Sequence, residues 1–342
     1  MDFTPTEAQT EARDLAARIF GDLATHERLG AAGTGSDPEL WKALTEAGLV
    51  AAVEELGLLG LVLLLEEQGR TTAQVPYAAS CVYGQLAIAA HGTSAQRERL
   101  LPGIGAGSVV VTGAFPAQAA VRPSASGRLS GAVPVVPWLR EATHVLVADA
   151  ERRLWLVPVG AETGVEEVEL TAPWSAGRLT LHAAPAERLG SDPAAYADML
   201  ATARTAFAGL QAGVCEGSLA RAVAHTNTRE QFGRPLATRQ AVQLRAADAH
   251  MDTEAIRVTA YEAAWRRDAG LPYVTHALTA AWWASEAGQR VVHTGQHLHG
   301  GTGADVGHPA HRHFLWGRQL DAYLGSGGEV LQELGELIAS GD

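Results

Sequence analysis

The sequence predicts a mostly helical α+β chain in which a small antiparallel β unit lies between two helical regions. Three observations predict it. Ala8, Ala12, Leu15, Ala16 and Ile19 recur at helical spacing near the N-terminus. Short β-branched runs, broken by Pro, Gly and Asp, fill the stretch from 109 to 190. Beyond 190, Val242, Ala246, Ala249, Thr253, Ile256, Ala260 and Ala263 follow one another in steps of four and three. The chain therefore divides into a helical domain over 1–108, a β domain over 109–190 and a C-terminal four-helix bundle over 191–342.

In the first region, helices are expected over Pro5–Phe20 with Thr4 as its cap, Pro38–Ala47, Leu58–Gln68, Tyr77–Ala90 and Ser94–Leu101. In the second, strands are expected at Val109–Val111, Thr143–Ala148, Leu154–Val159, Val165–Leu170 and Leu179–His182. In the third, the stripe from Val242 to Ala263 is narrow and built of small residues, so a neighbouring helix can approach closely. Its first meaning is core packing and the oligomer interface.

Composition narrows the function. With 26 basic against 38 acidic residues the net charge is -12, which disfavours the phosphate backbone of nucleic acid. One basic residue, Lys42, is a lysine, so the many arginines reflect coding bias as much as function. Two distant cysteines, Cys81 and Cys215, suit a reducing cytoplasm. The start, Met1-Asp2-Phe3-Thr4, shows no signal peptide. The apolar window Leu56–Leu65 is too short for a bilayer and is bounded by Glu54, Glu55, Glu66 and Glu67. No membrane role is expected.

Motifs then point to one family. Thr228-Arg229-Glu230-Gln231-Phe232-Gly233-Arg234-Pro235-Leu236 resembles the acyl-CoA dehydrogenase signature R-x-x-F-G-x-x-[IL], with Gln240 and the pair Ala247-Asp248 following in place. His299-Gly300-Gly301-Thr302-Gly303 is similar to its H-G-G-x-G, with Pro309 and Arg312 beyond. Leu40-Trp41-Lys42-Ala43-Leu44 and Thr93–Gly107 resemble segments of its first domain. The resemblance covers nearly the whole chain. It implies the acyl-CoA dehydrogenase fold and an FAD cofactor. Arg229, Gln231, Phe232, Gln240, His297, Gly300, Gly301 and Ser326 are then its contacts, most of them reaching across an interface to a neighbour's flavin. The residue types agree. A guanidinium fork suits a pyrophosphate, and glycines let backbone amides approach phosphate or ribose.

Other family features are missing. The resemblance places the catalytic glutamate in a Y-E-G-T loop or 26 residues before the signature arginine. Those positions hold Leu324 and Ala203, the latter followed by Arg204. No catalytic residue is therefore assigned. The T-E-P and W-[IL]-[ST] segments that hold the isoalloxazine ring are reduced to Thr112-Gly113-Ala114-Phe115-Pro116 and to Val133–Trp138. Motifs serving a neighbour's FAD persist while those serving the chain's own chemistry are eroded. That asymmetry resembles the shorter, non-basic subunit of heterotetrameric steroid side-chain acyl-CoA dehydrogenases. It implies a homologous catalytic partner that desaturates an acyl-CoA. Two other readings stand beside it: a self-sufficient flavoenzyme with another base or reaction, and a scaffold that has lost flavin. Glu329, early in a helix past Leu324, is a weak candidate for a displaced base. The run His293, His297, His299, His308, His311 and His313 lacks a completing ligand set, and no metal site is assigned.

Overall fold

The computed structural model describes residues 2–340. Seven α-helices precede the first strand: α1 Glu7–Leu23, α2 His26–Ala32, α3 Pro38–Glu46, α4 Val53–Thr71, α5 Tyr77–Ala79, α6 Ala87–His91 and α7 Ser94–Gly105. Their starts follow local chemistry. Thr6 caps α1 and Thr93 caps α7 with reciprocal capping boxes through Gln9 and Gln96. Asp37 caps α3 and Pro38 opens it. The cap of α1 is thus Thr6 rather than Thr4, because Gln9 stands three residues beyond it. The helix expected over Tyr77–Ala90 is unbroken in sequence but winds as a π-helix over Ser80–Leu86 between α5 and α6.

The strands are β1 Val111–Ala114, β2 Arg122–Pro123, β3 Leu129–Val136, β4 His144–Ala148, β5 Leu154–Pro158, β6 Thr163–Glu167, β7 Gly177–Ala184 and β8 Glu187–Leu189. They form two four-stranded sheets, ordered β1-β4-β5-β8 and β2-β3-β7-β6. Every pair in them is antiparallel except β1 against β4, which run parallel. Val133, Val136, Val145, Val147, Val157, Leu179 and Leu181 form the core of these sheets. β3 was not foreseen, because Gly131 and Pro134 read as breakers. The strand tolerates both by shifting register against β7.

The remaining elements are α8 Ala195–Thr228, the two-residue strands β9 Glu230–Gln231 and β10 Arg234–Pro235, α9 Gln240–Asp268, α10 Val274–His299, α11 Pro309–Leu320 and α12 Gly327–Ser340. The α9 stripe turns inward as expected: Ala249, Thr253, Ile256, Ala260 and Ala263 are buried, with Val242 and Ala246 half-buried. A second stripe sets the spacing of α4 and α8. A Cβ at Gly209, Gly213 or Gly217 would collide with Val62, Glu66 or Arg70 respectively. Both rows advance by four, so the helices lie in backbone contact along their shared length.

The chain forms two compact units, one of residues 1–26, 62–73 and 204–342, the other of residues 27–61 and 74–203. No helix among the described residues is long and apolar enough to cross a membrane. Cys81 and Cys215 are both free and buried.

Candidate functional site

The 34-residue α8 ends at Thr228, and the next residues turn back at once. Glu230–Gln231 pairs antiparallel with Arg234–Pro235, leaving Phe232 and Gly233 as the two central residues of the turn. Both have positive φ, 57° and 76°, as a tight hairpin of this hand requires. Glycine accepts that conformation freely, but phenylalanine is strained in it. Phe232 is also 91% exposed, and Arg239 covers one face of its ring at 5.1 Å. Arg239 in addition donates to the carbonyl of Gln231 at 3.1 Å, tying the hairpin to the start of α9, where Gln240 is exposed.

Arg229 stands exposed at the base of this hairpin. Its backbone amide bonds to His225 and its carbonyl to Leu236, while among the described residues its guanidinium has no carboxylate partner. His225 stacks on His299 at 4.8 Å, and His299 meets His308 edge-on at 5.2 Å. This stack brings the end of α8 beside the end of α10, so Arg229 and the Gly300-Gly301 turn share one end of the bundle. Burial, then the nearby His299, His308 and Arg229, hold the His225 imidazole below its ordinary pKa. Burial likewise lowers Arg312, on α11, to about 10. The exposed Arg229 is thus a cation without a carboxylate partner among the described residues at this corner, which suits an anion.

A Cβ at Gly300 or Gly301 would meet nothing within 4 Å, so the backbone there is open to a ligand. Gly303 is different. A Cβ would strike the carbonyl of Gln296 at 2.8 Å, which makes this glycine a requirement of the turn itself. His297 is exposed and lines an open groove of about 840 Å³ with Arg245, Asp248, Asp252, Arg290 and His293. Ser326 lies elsewhere. The glycine after it packs on Glu286, fourteen residues before Gly300 and so about 20 Å away along α10.

The two positions expected for a base are buried and apolar, Ala203 at 0% and Leu324 at 6% exposure. Beside Leu324 the structure places a group the sequence did not announce. Arg204 is buried, bonds to both carboxylate oxygens of Glu333 at 2.9 and 2.7 Å, and donates from Nε to the carbonyl of Leu324 at 3.3 Å. No local signal could have revealed this, since Glu333 is 129 residues away in the chain. Glu329 accepts from the amide and hydroxyl of Ser326 at 2.8 and 2.9 Å. These bonds hold its carboxyl below the ordinary range, which weakens it as a base. Glu66, pushed up to about 7 by burial, has a base-like value in the wrong place: Arg257 bridges it to Glu216 and Glu254 inside the helices.

In the other unit, Thr112 spends its hydroxyl on the carbonyl of Pro137 at 2.6 Å. Trp138 is buried and stacked on Trp174 at 6.0 Å. Phe115 lies between Tyr83 at 5.2 Å and Tyr196 at 6.0 Å. Among the described residues, no group of three His, Cys, Asp or Glu side chains is placed to hold a metal ion.

The comparisons with known proteins agree with these motifs. Residues 6–108 match the model of the acyl-CoA dehydrogenase N-terminal domain, and residues 194–334 that of its C-terminal domain. The chain is 35% identical to acyl-CoA dehydrogenase FadE27 of Mycobacterium tuberculosis, covering 99% of both proteins. Its structure is similar to a variant of the Tcur3481-Tcur3483 steroid ACAD, with TM-score 0.92, 43% identity and 98% of each chain covered. It is likewise similar to the ChsE4-ChsE5 complex from Mycobacterium tuberculosis, at TM-score 0.92, 31% identity and 99% coverage of each chain. The fold is also that of butyryl-CoA dehydrogenase from Megasphaera elsdenii, with TM-score 0.87 at 22% identity. The chain belongs to the acyl-CoA dehydrogenase family, whose members are FAD-dependent oxidoreductases acting on acyl-CoA thioesters.

Proposed function

We propose that this chain is a subunit of an FAD-dependent acyl-CoA dehydrogenase that completes the flavin site of a homologous partner, and that the partner supplies the catalytic glutamate. The reaction is α,β-desaturation of an acyl-CoA, and its acyl group is a steroid side-chain thioester. Likeness to a steroid ACAD at 43% identity supports the substrate class, and likeness to the ChsE4-ChsE5 complex supports a paired assembly. The free, buried thiols support a reducing cytoplasm. We read residues 1–108, 109–190 and 191–342 as its functional parts.

One observation carries the reading: Arg229, Gly300 and Gly301 are exposed and open, while both base positions are apolar. The residues fit FAD. Arg229 offers a guanidinium with no carboxylate partner of its own, and a charge-assisted fork is what a pyrophosphate needs. Gly300 and Gly301 offer unobstructed backbone, Phe232 an exposed apolar face, and Gln231, Gln240 and His297 exposed polar groups. When bound, FAD supplies the acceptor for the hydride leaving the β-carbon. This chain binds and orients the dinucleotide. It offers no carboxylate for the α-proton, which a positioned base must take. Ser326 is committed to Glu329 and would have to turn from it to reach a ligand.

The test is the flavin absorbance of the protein purified alone and then co-expressed with a homologous chain carrying the glutamate. Full flavin content in the co-purified complex, with bleaching by acyl-CoA only there, supports the reading. Rapid anaerobic bleaching of flavin on the isolated chain refutes it.

A further inference from the structure

Three imidazoles meet where α8, α10 and α11 come together. His225 of α8 stacks on His299, the last residue of α10, and His308, just before α11, meets the same ring edge-on. Their hydrogen bonds fix what each ring can do. Nδ1 of His299 donates to the carbonyl of Gly295 at 2.7 Å, since a carbonyl can only accept. Nδ1 of His308 accepts from the backbone amide of Ala310 at 3.2 Å, which makes this ring the N-cap of α11. It can accept there only while that nitrogen carries no proton. Protonated, His308 would lose the cap and set a cation at the positive end of a helix. The charged or titratable groups that face it are His299 of α10, Arg221 of α8, Asp305 of the preceding turn and His26 of α2. Those facing His225 are His299, His308 and Arg229. Of all these, Asp305 alone is a carboxylate. A 3₁₀ turn over Gly300–Ala304 leads from His299 toward His308, so the stacked rings fasten both ends of the segment that carries Gly300 and Gly301.

We propose that His225, His299 and His308 form a proton-sensitive latch on this turn: neutral rings hold it closed, and protonation of His308 and His225 opens it. Burial first, and then the neighbouring imidazoles and guanidinium groups, hold both His308 and His225 below the ordinary value of 6.5. A histidine lowered in this way supports the closed form above 6.5 and loses that contribution as pH falls through its folded value. With flavin contact at Gly300 and Gly301 taken from the partner-subunit reading, acid then loosens this chain's hold on the dinucleotide.

The experiment is amide hydrogen exchange at about pH 5 and about pH 7.5, on the full chain alone and in its flavin-loaded two-chain complex, with rates corrected for the intrinsic effect of pH. Protection of residues 300–312 should fall about five- to tenfold at the lower pH, the worth of a lost cap and an opposed helix charge. The buried α9 residues Ala249, Ile256 and Ala263 should keep theirs. His308→Asn supplies a cap that does not titrate and should hold the high-pH protection at both values, whereas His308→Ala should show the low protection at both. Equal wild-type protection at the two values overturns the latch. So does a His308→Asn chain that opens with acid like the wild type, or a loss shared equally by α9. Flavin retention on gel filtration at the same two values tests the reading beneath: a turn that opens while flavin stays bound supports the latch and removes flavin from Gly300 and Gly301.

Discussion

Arg204 lies inside α8 and Arg229 stands one residue beyond its end, and the same side chain meets opposite fates at the two places. Arg204 is buried with a matched carboxylate and a carbonyl. Arg229 is exposed near His225, with no carboxylate partner among the described residues. Around Arg204 the packing leaves about 20 Å³. Around Arg229 the chain places a strained phenylalanine and two open glycines. An interior satisfied to this degree is built for stability. A surface that holds strain and unmatched charge is built for something to arrive. The inner end of the helix is closed, and the outer end is open.

The largest effect that could break this contrast is catalytic. With Ala203 and Leu324 at the base positions, the isolated chain should show no appreciable turnover. Replacing the partner's glutamate by glutamine should lower turnover of the complex by several orders of magnitude, whereas Glu329→Gln here should leave the chemical step unchanged. Anaerobic flavin bleaching by steroid side-chain thioesters reads both. The next effect sharpens the contrast. Arg229→Ala should leave the fold intact and cut FAD affinity by about 2–5 kcal/mol, enough to strip flavin from the complex during gel filtration. Unchanged flavin content would remove Arg229 from the site.

Glu66 supplies a pH prediction on the closed side. Burial raises its folded pKa to about 7 from 4.5, so the folded chain keeps a proton that the unfolded chain releases. Its contribution to stability is full below pH 4.5 and is lost as pH rises through about 7, a change of at most about 3 kcal/mol. Denaturant midpoints measured from pH 5 to 8 should fall with pH, and Glu66→Gln should flatten the slope. Arg204→Ala comes next. It should destabilise the chain by about 1–3 kcal/mol, since charged hydrogen bonds are lost while half-exposed Glu333 rehydrates. The same substitution at 229 should do nothing to the midpoint.

Much of the outer end was legible in the sequence. Phe232-Gly233 and Gly300-Gly301 are local features whose backbone demands are written in adjacent residues, and the α9 stripe announces its own burial by period. The closed end was not, because it depends on pairs distant in the chain. Arg204 finds Glu333 on another helix, and Tyr83, Phe115 and Tyr196 stack from three separate segments. β3 escaped for a related reason: Gly131 and Pro134 are breakers in isolation, and only register shifts against β7 accommodate them. The reduced flavin segments could be read as losses, but not as Thr112 and Trp138 turning to Pro137 and Trp174.

The smallest effect is the most discriminating. Phe232 combines two unfavourable choices, positive φ and near-complete exposure, and neither helps the isolated chain. Phe232→Gly removes the strain, of about 1 kcal/mol, and restores a similar backbone entropy to the unfolded state. The denaturant midpoint should therefore stay level or rise slightly. Flavin affinity of the complex should fall by about 1 kcal/mol, the worth of an aromatic contact, or roughly fivefold. Phe232→Leu keeps the strained turn and an apolar side chain, so it should retain more of the affinity at a lower midpoint. Were Phe232 only a turn residue, both variants would bind flavin like the wild type, and the outer end would lose its claim to a ligand. A drop in flavin without a drop in stability is the signature of a residue held in an unfavourable conformation for something outside the chain.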